Sequence, residues 1–219
     1  RGKRQPHPPA NVMLDVDPSQ PISSLDQLFS QAAGIDTILR RRVQMWAKAS
    51  DGFFLAKPNL RYIALADLEA PRPREYLKWA DVEEHAEQRE RIKWSKVKNV
   101  DRAIEKLLRS YGEDASRLVD LARQSITFAN VYSLTRCLQA MVQDPETVIV
   151  RIKNRLHEDY ASRSSAGYQD VAVNVRVVNG TTIDLGLSSH VCEVQLLLME
   201  FALLKNDSGH NRYISFRDR

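Results

Sequence analysis

The stretch His190-Val191-Cys192-Glu193-Val194-Gln195-Leu196 decides the fold, because its small and apolar residues predict a buried β-strand. Residues two apart in a strand point to the same face, so Glu193 and Gln195 share one face and apolar residues occupy the other. A polar pair in an apolar strand needs partners. A metal ion or substrate hydroxyls would be functional partners. An arginine or backbone N–H groups would be structural ones, and the strand alone leaves both open.

Composition limits the class of protein. The chain has 219 residues, 43% hydrophobic and 27% charged, which is typical of a soluble globular protein with one core, or with one core and a helical extension. A net charge of +4 favours a phosphate-bearing ligand or nucleic acid. No apolar run reaches the roughly 18–20 residues that span a bilayer, so we expect no membrane partner. Cys137 and Cys192 lie in apolar settings, which indicates reduced thiols and a cytoplasmic location.

Three segments differ in composition. Residues 1–22, rich in proline and basic residues, predict a flexible tail or linker. Residues 23–93 predict a helical N-terminal region, and residues 94–219 a separate domain. Because the sequence begins with an arginine and has no signal peptide, we expect a piece of a longer protein whose other domains are candidate partners.

Periodicity predicts the elements of this organisation. The N-terminal region is expected to hold a helix that ends at Gly34, a second helix over 36–50 and a long charged helix over 74–99. The second half is expected to hold helices over 114–122, 131–142 and 199–205 and strands over 125–128, 147–152, 171–178, 181–185 and 190–196. The predicted architecture is α+β, with a mixed, mostly antiparallel sheet of about five strands flanked by helices.

A basic stripe and one acid are candidate site features. Lys98, Arg102, Lys106 and Arg109 follow helical spacing, and such cations repel one another unless a polyphosphate lies along them. A solvated basic face is the equal alternative. Asp120, just before a predicted strand, is a candidate metal ligand or else an ordinary cap or ion-pair residue.

The second half, over about residues 94–216, resembles the RelA/SpoT alarmone synthetase domain, which has a nucleotidyltransferase-like fold. The family's basic helix, Arg-x-Lys-x-x-x-Ser-x-x-x-Lys, is matched by Lys96, Lys98 and Lys106, with Arg102 in place of the serine. Its metal-binding aspartate is matched by Asp120, its Asn-Gly-Tyr-Gln-Ser-Leu-His segment by residues 166–172, its Glu-Ile-Gln-Ile-Arg-Thr strand by residues 193–198, and its closing pattern by Gly209, His210 and Tyr213. No single motif is specific, but the first four of these occur in the family's order.

The resemblance implies a Mg²⁺-dependent transfer of a pyrophosphoryl group from ATP to a ribose hydroxyl of a nucleotide or of RNA. It implies that Asp120 and Glu193 are the catalytic and Mg²⁺-binding carboxylates. The remaining implied roles are ATP binding by Lys96, Lys98 and Lys106, and acceptor binding by Tyr168, Gln195 and His210. Arg109, on the same predicted helical face, is a further candidate for ATP binding.

Several family positions differ. The arginine of the Glu-x-Gln-x-Arg strand is Leu197, and the arginine after the metal aspartate is displaced to Arg123. Within the tyrosine segment, the serine is Asp170 and the Leu-His pair is Val171-Ala172. These differences fit an enzyme with a changed acceptor, or a non-catalytic nucleotide-binding or interaction module. A structural domain with a solvated basic face is the third hypothesis.

Overall fold

A six-stranded sheet organises the chain in the computed structural model, which describes residues 22–58, 74–160 and 168–204. The strands are β1 Phe53–Leu55, β2 Tyr76–Lys78, β3 Arg123–Phe128, β4 Thr147–Asn154, β5 Val171–Val177 and β6 Cys192–Leu198. Their order is β2-β1-β3-β6-β5-β4, with β3 and β6 parallel and the other neighbouring pairs antiparallel. The predicted α+β architecture is confirmed, with six strands in place of about five.

Seven α-helices accompany the described strands. They are α1 Leu25–Ala49, α2 Trp79–Val82, α3 Ala86–Glu90, α4 Val100–Lys106, α5 Val131–Gln143, α6 Gly180–Asp184 and α7 Met199–Leu204. A π-helical segment, Leu107–Tyr111, extends α4, and a short 3₁₀ turn covers Ala115–Arg117. No described helix is long and apolar enough to cross a membrane.

The core lies between one face of the sheet and the long helices α1 and α5. Strand β6 buries Cys192, Val194 and Leu196 on this face, beside alternate valines of β5. Helix α1 contacts β3, β6 and α5, and buries an apolar stripe at helical spacing. Fully burying each such side chain contributes about 1.5–3 kcal/mol, so this face fixes the register of the central strands. Their opposite face is left for polar residues.

Helix α1 continues through Gly34, so the predicted break there is wrong. A Cβ atom at Gly34 would lie 3.2 Å from Leu187 Cδ1, which is closer than ordinary packing distance. The glycine therefore permits close approach of the segment after α6. Burial of Ile35 and Leu39 on the same helix offsets the roughly 1 kcal/mol that an interior glycine costs.

The predicted helix over 74–99 is also wrong. Residues 76–78 form β2, which pairs with β1, and residues 93–99 are not helical. Trp79 is buried and meets Phe54 edge to face, with ring centroids 5.8 Å apart. Burial of two aromatic rings outweighs the few tenths of a kcal/mol that each surface charge pair adds to a helix.

Two more predictions fail because polar side chains cap turns. Residues 180–184 form a helix rather than a returning strand, because the Asn179 side chain accepts the Thr182 N–H at 2.9 Å and the Thr182 hydroxyl accepts the Asn179 N–H at 2.9 Å. Of the predicted helix over 114–122, only Ala115–Arg117 is helical. Asp114 accepts the Ser116 N–H there, and the chain is not helical from Leu118 to β3.

Both cysteines lie in the core. Cys137 and Cys192 are both buried and unbridged, and burial raises the pKa of each thiol to about 12. They are therefore protonated, unreactive core groups at neutral pH.

The domain boundaries stay predictions, and the predicted tail lies outside the described residues except for Ile22.

Candidate active site

The polar face of β6 carries the predicted pair. Glu193 and Gln195 alternate with fully buried residues, which confirms their shared face. The Gln195 amide donates to Glu193 Oε1 at 3.0 Å, and the Ser125 hydroxyl of β3 donates to Gln195 Oε1 at 3.3 Å. Gln195 therefore orients the Glu193 carboxylate from within the same strand.

Asp120 lies at the end of the sheet where β3 and β6 begin. It is 8% exposed and sits in the non-helical segment before β3. Lys98 Nζ lies 2.5 Å and Lys106 Nζ 3.0 Å from the same oxygen, Asp120 Oδ2. Burial opposes ionisation of Asp120, but the attraction of Lys106 and Lys98 outweighs it and lowers the pKa of this carboxyl below its usual value.

The second carboxylate oxygen of Asp120 has a different environment. Asp120 Oδ1 is buried and has no hydrogen-bond partner among the described residues. A buried hydrogen-bond acceptor without a partner is costly, so Asp120 Oδ1 is a candidate to bind a ligand. The described residues contain no group of three or more His, Cys, Asp or Glu side chains that could hold a metal. Two carboxylates with an open coordination sphere are nevertheless what Mg²⁺ uses when substrate phosphates supply the other ligands.

Glu193 has the opposite electrostatic setting from Asp120. Burial raises its pKa above the usual value, and repulsion from Asp120 and then Asp170 adds to the rise. Arg123, which is aligned with Glu193 across the parallel β3–β6 pair, acts against it. Two acids that repel across a partly buried space are relieved by a cation between them or by a proton on one of them.

The basic residues do not form the predicted helical stripe. Lys98 precedes Asn99, the N-cap of α4, and the π-helical segment after Lys106 changes the helical register before Arg109. Lys98 and Lys106 therefore converge on Asp120 from the two ends of α4. Lys96, Arg102 and Arg109 are exposed.

The predicted acceptor side is organised by a second ion pair. Asp170 is fully buried, pairs with Arg155 and accepts the Tyr168 hydroxyl at 2.8 Å. The Arg155 guanidinium lies 5.8 Å from the centre of the Tyr168 ring. Burial, and then Asp170, raises the pKa of Tyr168, which keeps its hydroxyl protonated. His210 lies outside the described residues.

Asn174 is a residue that sequence reasoning missed. It lies on β5 directly opposite Glu193 and is 6% exposed. Its sequence signal was a single asparagine inside the valine-rich strand 171–177. Arg155, which follows β4, had no such signal, and its buried partner Asp170 could not be read from spacing.

No family model matches the sequence, and no curated protein matches it by sequence. Solved structures do match by shape. Small alarmone synthetase 1 from Bacillus subtilis has a TM-score of 0.54 at 12% identity, over 89% of this chain and 81% of that chain. Small alarmone synthetase 2 from the same organism has a TM-score of 0.52 at 13% identity, over 89% of this chain and 82% of that one. The chain has a divergent RelA/SpoT-like alarmone synthetase fold.

Within this alarmone synthetase fold, one family position is clearly altered. Leu197, where the family motif has arginine, is 5% exposed and aligned with Thr127 of β3. An arginine could not replace it without a partner for its charge. Arg123 is the cation on this face of β3 that adjoins Glu193. In this chain the cation aligned with Glu193 therefore lies on β3 rather than on β6.

Proposed function

We propose that this chain is a Mg²⁺-dependent pyrophosphokinase that transfers the β,γ-pyrophosphoryl group of ATP to a ribose hydroxyl of a nucleotide or of RNA. One observation carries the proposal. Asp120 is held by two lysines through Oδ2, while its buried Oδ1 has no described partner. This arrangement combines cations for phosphates with an available oxygen ligand beside a second carboxylate. The similarity in fold to proteins named as alarmone synthetases supports it.

The two carboxylates share one role in this proposal, and Glu193 has a second. Asp120 and Glu193 would hold Mg²⁺, which would neutralise charge on the ATP phosphates. Lys98 and Lys106 bind phosphate oxygens, because both ammonium groups already point into the same space. Positioning and charge neutralisation are the main requirements of phosphoryl transfer.

Glu193 accepts the proton in the transfer step. The acceptor hydroxyl oxygen forms a bond to the β-phosphorus of ATP, and the bond from that phosphorus to the α,β-bridging oxygen breaks. AMP leaves, and the hydroxyl proton passes to the Glu193 carboxylate. The pKa of Glu193 is raised towards neutral pH, which suits a general base. Gln195 fixes the orientation of this carboxylate through Oε1.

A second candidate function is a nucleotide-binding module without turnover. It is favoured by buried Leu197 in place of the family arginine and by the closed Arg155–Asp170–Tyr168 cluster on the predicted acceptor side. This hypothesis expects ATP binding without AMP release.

The deciding experiment incubates the protein with ATP and Mg²⁺ against GDP, GTP, other nucleotides and tRNA, and follows AMP. The proposal expects AMP release that depends on one acceptor. It also expects Glu193→Gln to remove turnover while the fold is kept. Glu90→Gln is the matched control, since it makes the same change at an exposed residue of α3.

Two results would count against the proposal. ATP binding without AMP release for any acceptor supports the non-catalytic module. Wild-type turnover in Glu193→Gln means that the assigned mechanism is wrong.

A further inference from the structure

One buried amide joins the backbone that precedes both acids. Asn174 Nδ2 donates to the Val119 carbonyl at 3.2 Å and lies 3.5 Å from the Cys192 carbonyl. Val119 precedes Asp120 in the chain, and Cys192 precedes Glu193. A side chain of β5 therefore links the segment that carries one acid to the strand that carries the other.

The contact with Val119 is not part of the sheet. Asn174 lies opposite Glu193 in the β5–β6 pair, whereas Val119 belongs to the non-helical segment before β3, on the far side of β6. Backbone hydrogen bonds from Lys98 to Leu121 and from Glu193 to Ala122 hold the same segment after Asp120. Asn174 holds it before Asp120, so the acid is fixed from both sides.

Asparagine is an unfavourable choice for a central strand on propensity alone. The members of β5 that face the core are valines, whereas Asn174 lies on the opposite face with Glu193, and asparagine is depleted in strands. Both neighbours of the amide nitrogen are carbonyl oxygens, which require a donor. A hydrophobic residue of the same size would fill the space but leave the Val119 carbonyl without this donor.

We propose that Asn174 is a positioning residue that sets the spacing between the Asp120 and Glu193 carboxylates and thereby the affinity of the site for a divalent cation. The inference rests on the proposed function, because it takes these two acids as the metal ligands. Groups that orient metal ligands typically affect metal affinity or activity by about 10–100-fold when they are removed.

The test measures cation binding directly, without turnover. Mn²⁺, used as a paramagnetic substitute for Mg²⁺, is titrated into the nucleotide-free full chain, and free Mn²⁺ is followed by electron paramagnetic resonance. Asn174→Leu has a similar shape and charge but no donor, and it should weaken Mn²⁺ binding by about 10-fold or more. Asn174→Thr, which retains a short hydroxyl donor suited to a strand, should recover part of the affinity.

The matched control is Asn130→Ala. Asn130 caps α5 through the Ser133 N–H at 2.9 Å, beyond the other end of β3. Its loss should lower the melting temperature, as loss of a cap does, and leave Mn²⁺ affinity unchanged. A purely structural role for Asn174 predicts the same pattern as this control.

The outcomes separate this inference from the proposed function. Unchanged Mn²⁺ affinity in Asn174→Leu overturns the inference, as does a wild-type protein that binds no Mn²⁺. If Asn174→Leu does not fold, the Mn²⁺ affinity of Asn174→Thr is measured instead. The inference is overturned if Asn174→Thr binds Mn²⁺ as tightly as the wild type and if adding Asp120→Asn weakens Mn²⁺ binding equally in both proteins. Weakened Mn²⁺ binding by the Asn174 variants in a protein that releases no AMP supports the inference while the proposed activity fails.

Discussion

Asp144 and Asp120 are both largely buried aspartates beside cations, yet their surroundings differ. Asp144 Oδ1 accepts from Arg42 at 3.2 Å and from the Glu146 N–H at 3.0 Å. Its Oδ2 accepts from Trp46 and Thr147, each at 3.0 Å. The partners belong to α1, to the α5–β4 connection and to the first residue of β4, so this carboxylate joins the helix layer to the sheet.

Asp120 uses its two oxygens unequally. Both lysines contact Oδ2, and Oδ1 is buried with no described partner. Native proteins satisfy nearly all buried polar atoms, as they do at Asp144. We therefore interpret an exception beside converging cations and a second acid as a candidate functional group.

The most severe test of this contrast is Asp120→Asn. If Asp120 is the metal ligand proposed above, its loss removes stabilisation worth several kcal/mol, so turnover should fall by about 1,000-fold. Steady-state AMP release at saturating ATP measures the effect, with circular dichroism to verify the fold. Turnover within a few-fold of wild type would assign Asp120 the same structural role as Asp144.

Asp144→Ala should produce the reverse pattern. The substitution leaves Trp46 and one side of Arg42 without a buried acceptor, although Arg42 still pairs with Glu146. We expect a stability loss of about 3 kcal/mol, which corresponds to a melting temperature about 10 °C lower. Urea unfolding checks the first value and calorimetry the second. Turnover per folded molecule should be unchanged, and a large loss of turnover at low temperature would remove the distinction between the two carboxylates.

Sequence periodicity predicted the elements that burial alone determines. Strand β6, the valine-rich strand β5 and helix α5 each bury a regular pattern, and all three were expected within a few residues. Periodicity failed where one contact decides the local structure. Gly34 faces Leu187, Trp79 meets Phe54, and neither partner is near in sequence.

The candidate site, too, could be predicted only in part from the sequence. The alternation of Glu193 and Gln195 follows from strand geometry, and the resemblance to alarmone synthetases pointed to Asp120. The convergence of Lys98 and Lys106 on one oxygen depends on where α4 begins and ends, which helical spacing does not reveal. These roles stay predictions until the variants are measured.

His190 sharpens the comparison, because it too has an unpartnered buried atom but lacks converging charges. Its Nδ1 lies 3.3 Å from Gln31 Oε1, and its Nε2 has no described partner. Burial lowers its pKa from 6.5 to about 4. As the pH falls from 6.5 towards 4, the unfolded chain takes up a proton on His190 that the folded protein does not. The free energy of unfolding therefore decreases below pH 6.5, whereas above pH 6.5 His190 contributes no pH dependence.

The expected size follows from the shift. Between pH 7 and pH 5, His190 should account for a stability loss of about 2 kcal/mol. Urea unfolding of the wild type and His190→Gln at both pH values gives the difference in slope. An equal pH dependence in the two proteins would mean that His190 is not the source, and altered AMP release per folded molecule would mean that an unpartnered buried atom indicates function even without neighbouring charge.

The smallest expected effect tests the cations of the site. Lys106 contacts Asp120 and lies 5.1 Å from the Tyr111 ring. Lys106→Met keeps the apolar stem and removes the charge, while Lys98 still holds Asp120. We expect about a 10-fold higher KM for ATP with little change in kcat, which corresponds to about 1.4 kcal/mol of lost phosphate binding.

Lys57→Met makes the same change at an exposed lysine and should leave the KM for ATP at its wild-type value. If Lys106→Met lowers stability and leaves KM unaffected, then Lys106 serves Asp120 as Arg42 serves Asp144, and the two carboxylates differ less than their hydrogen bonds indicate. If the KM for ATP rises while stability is unchanged, the lysines serve to bind ATP rather than to stabilise the fold. Asp120 Oδ2, which both lysines contact, then serves mainly to position two phosphate-binding groups.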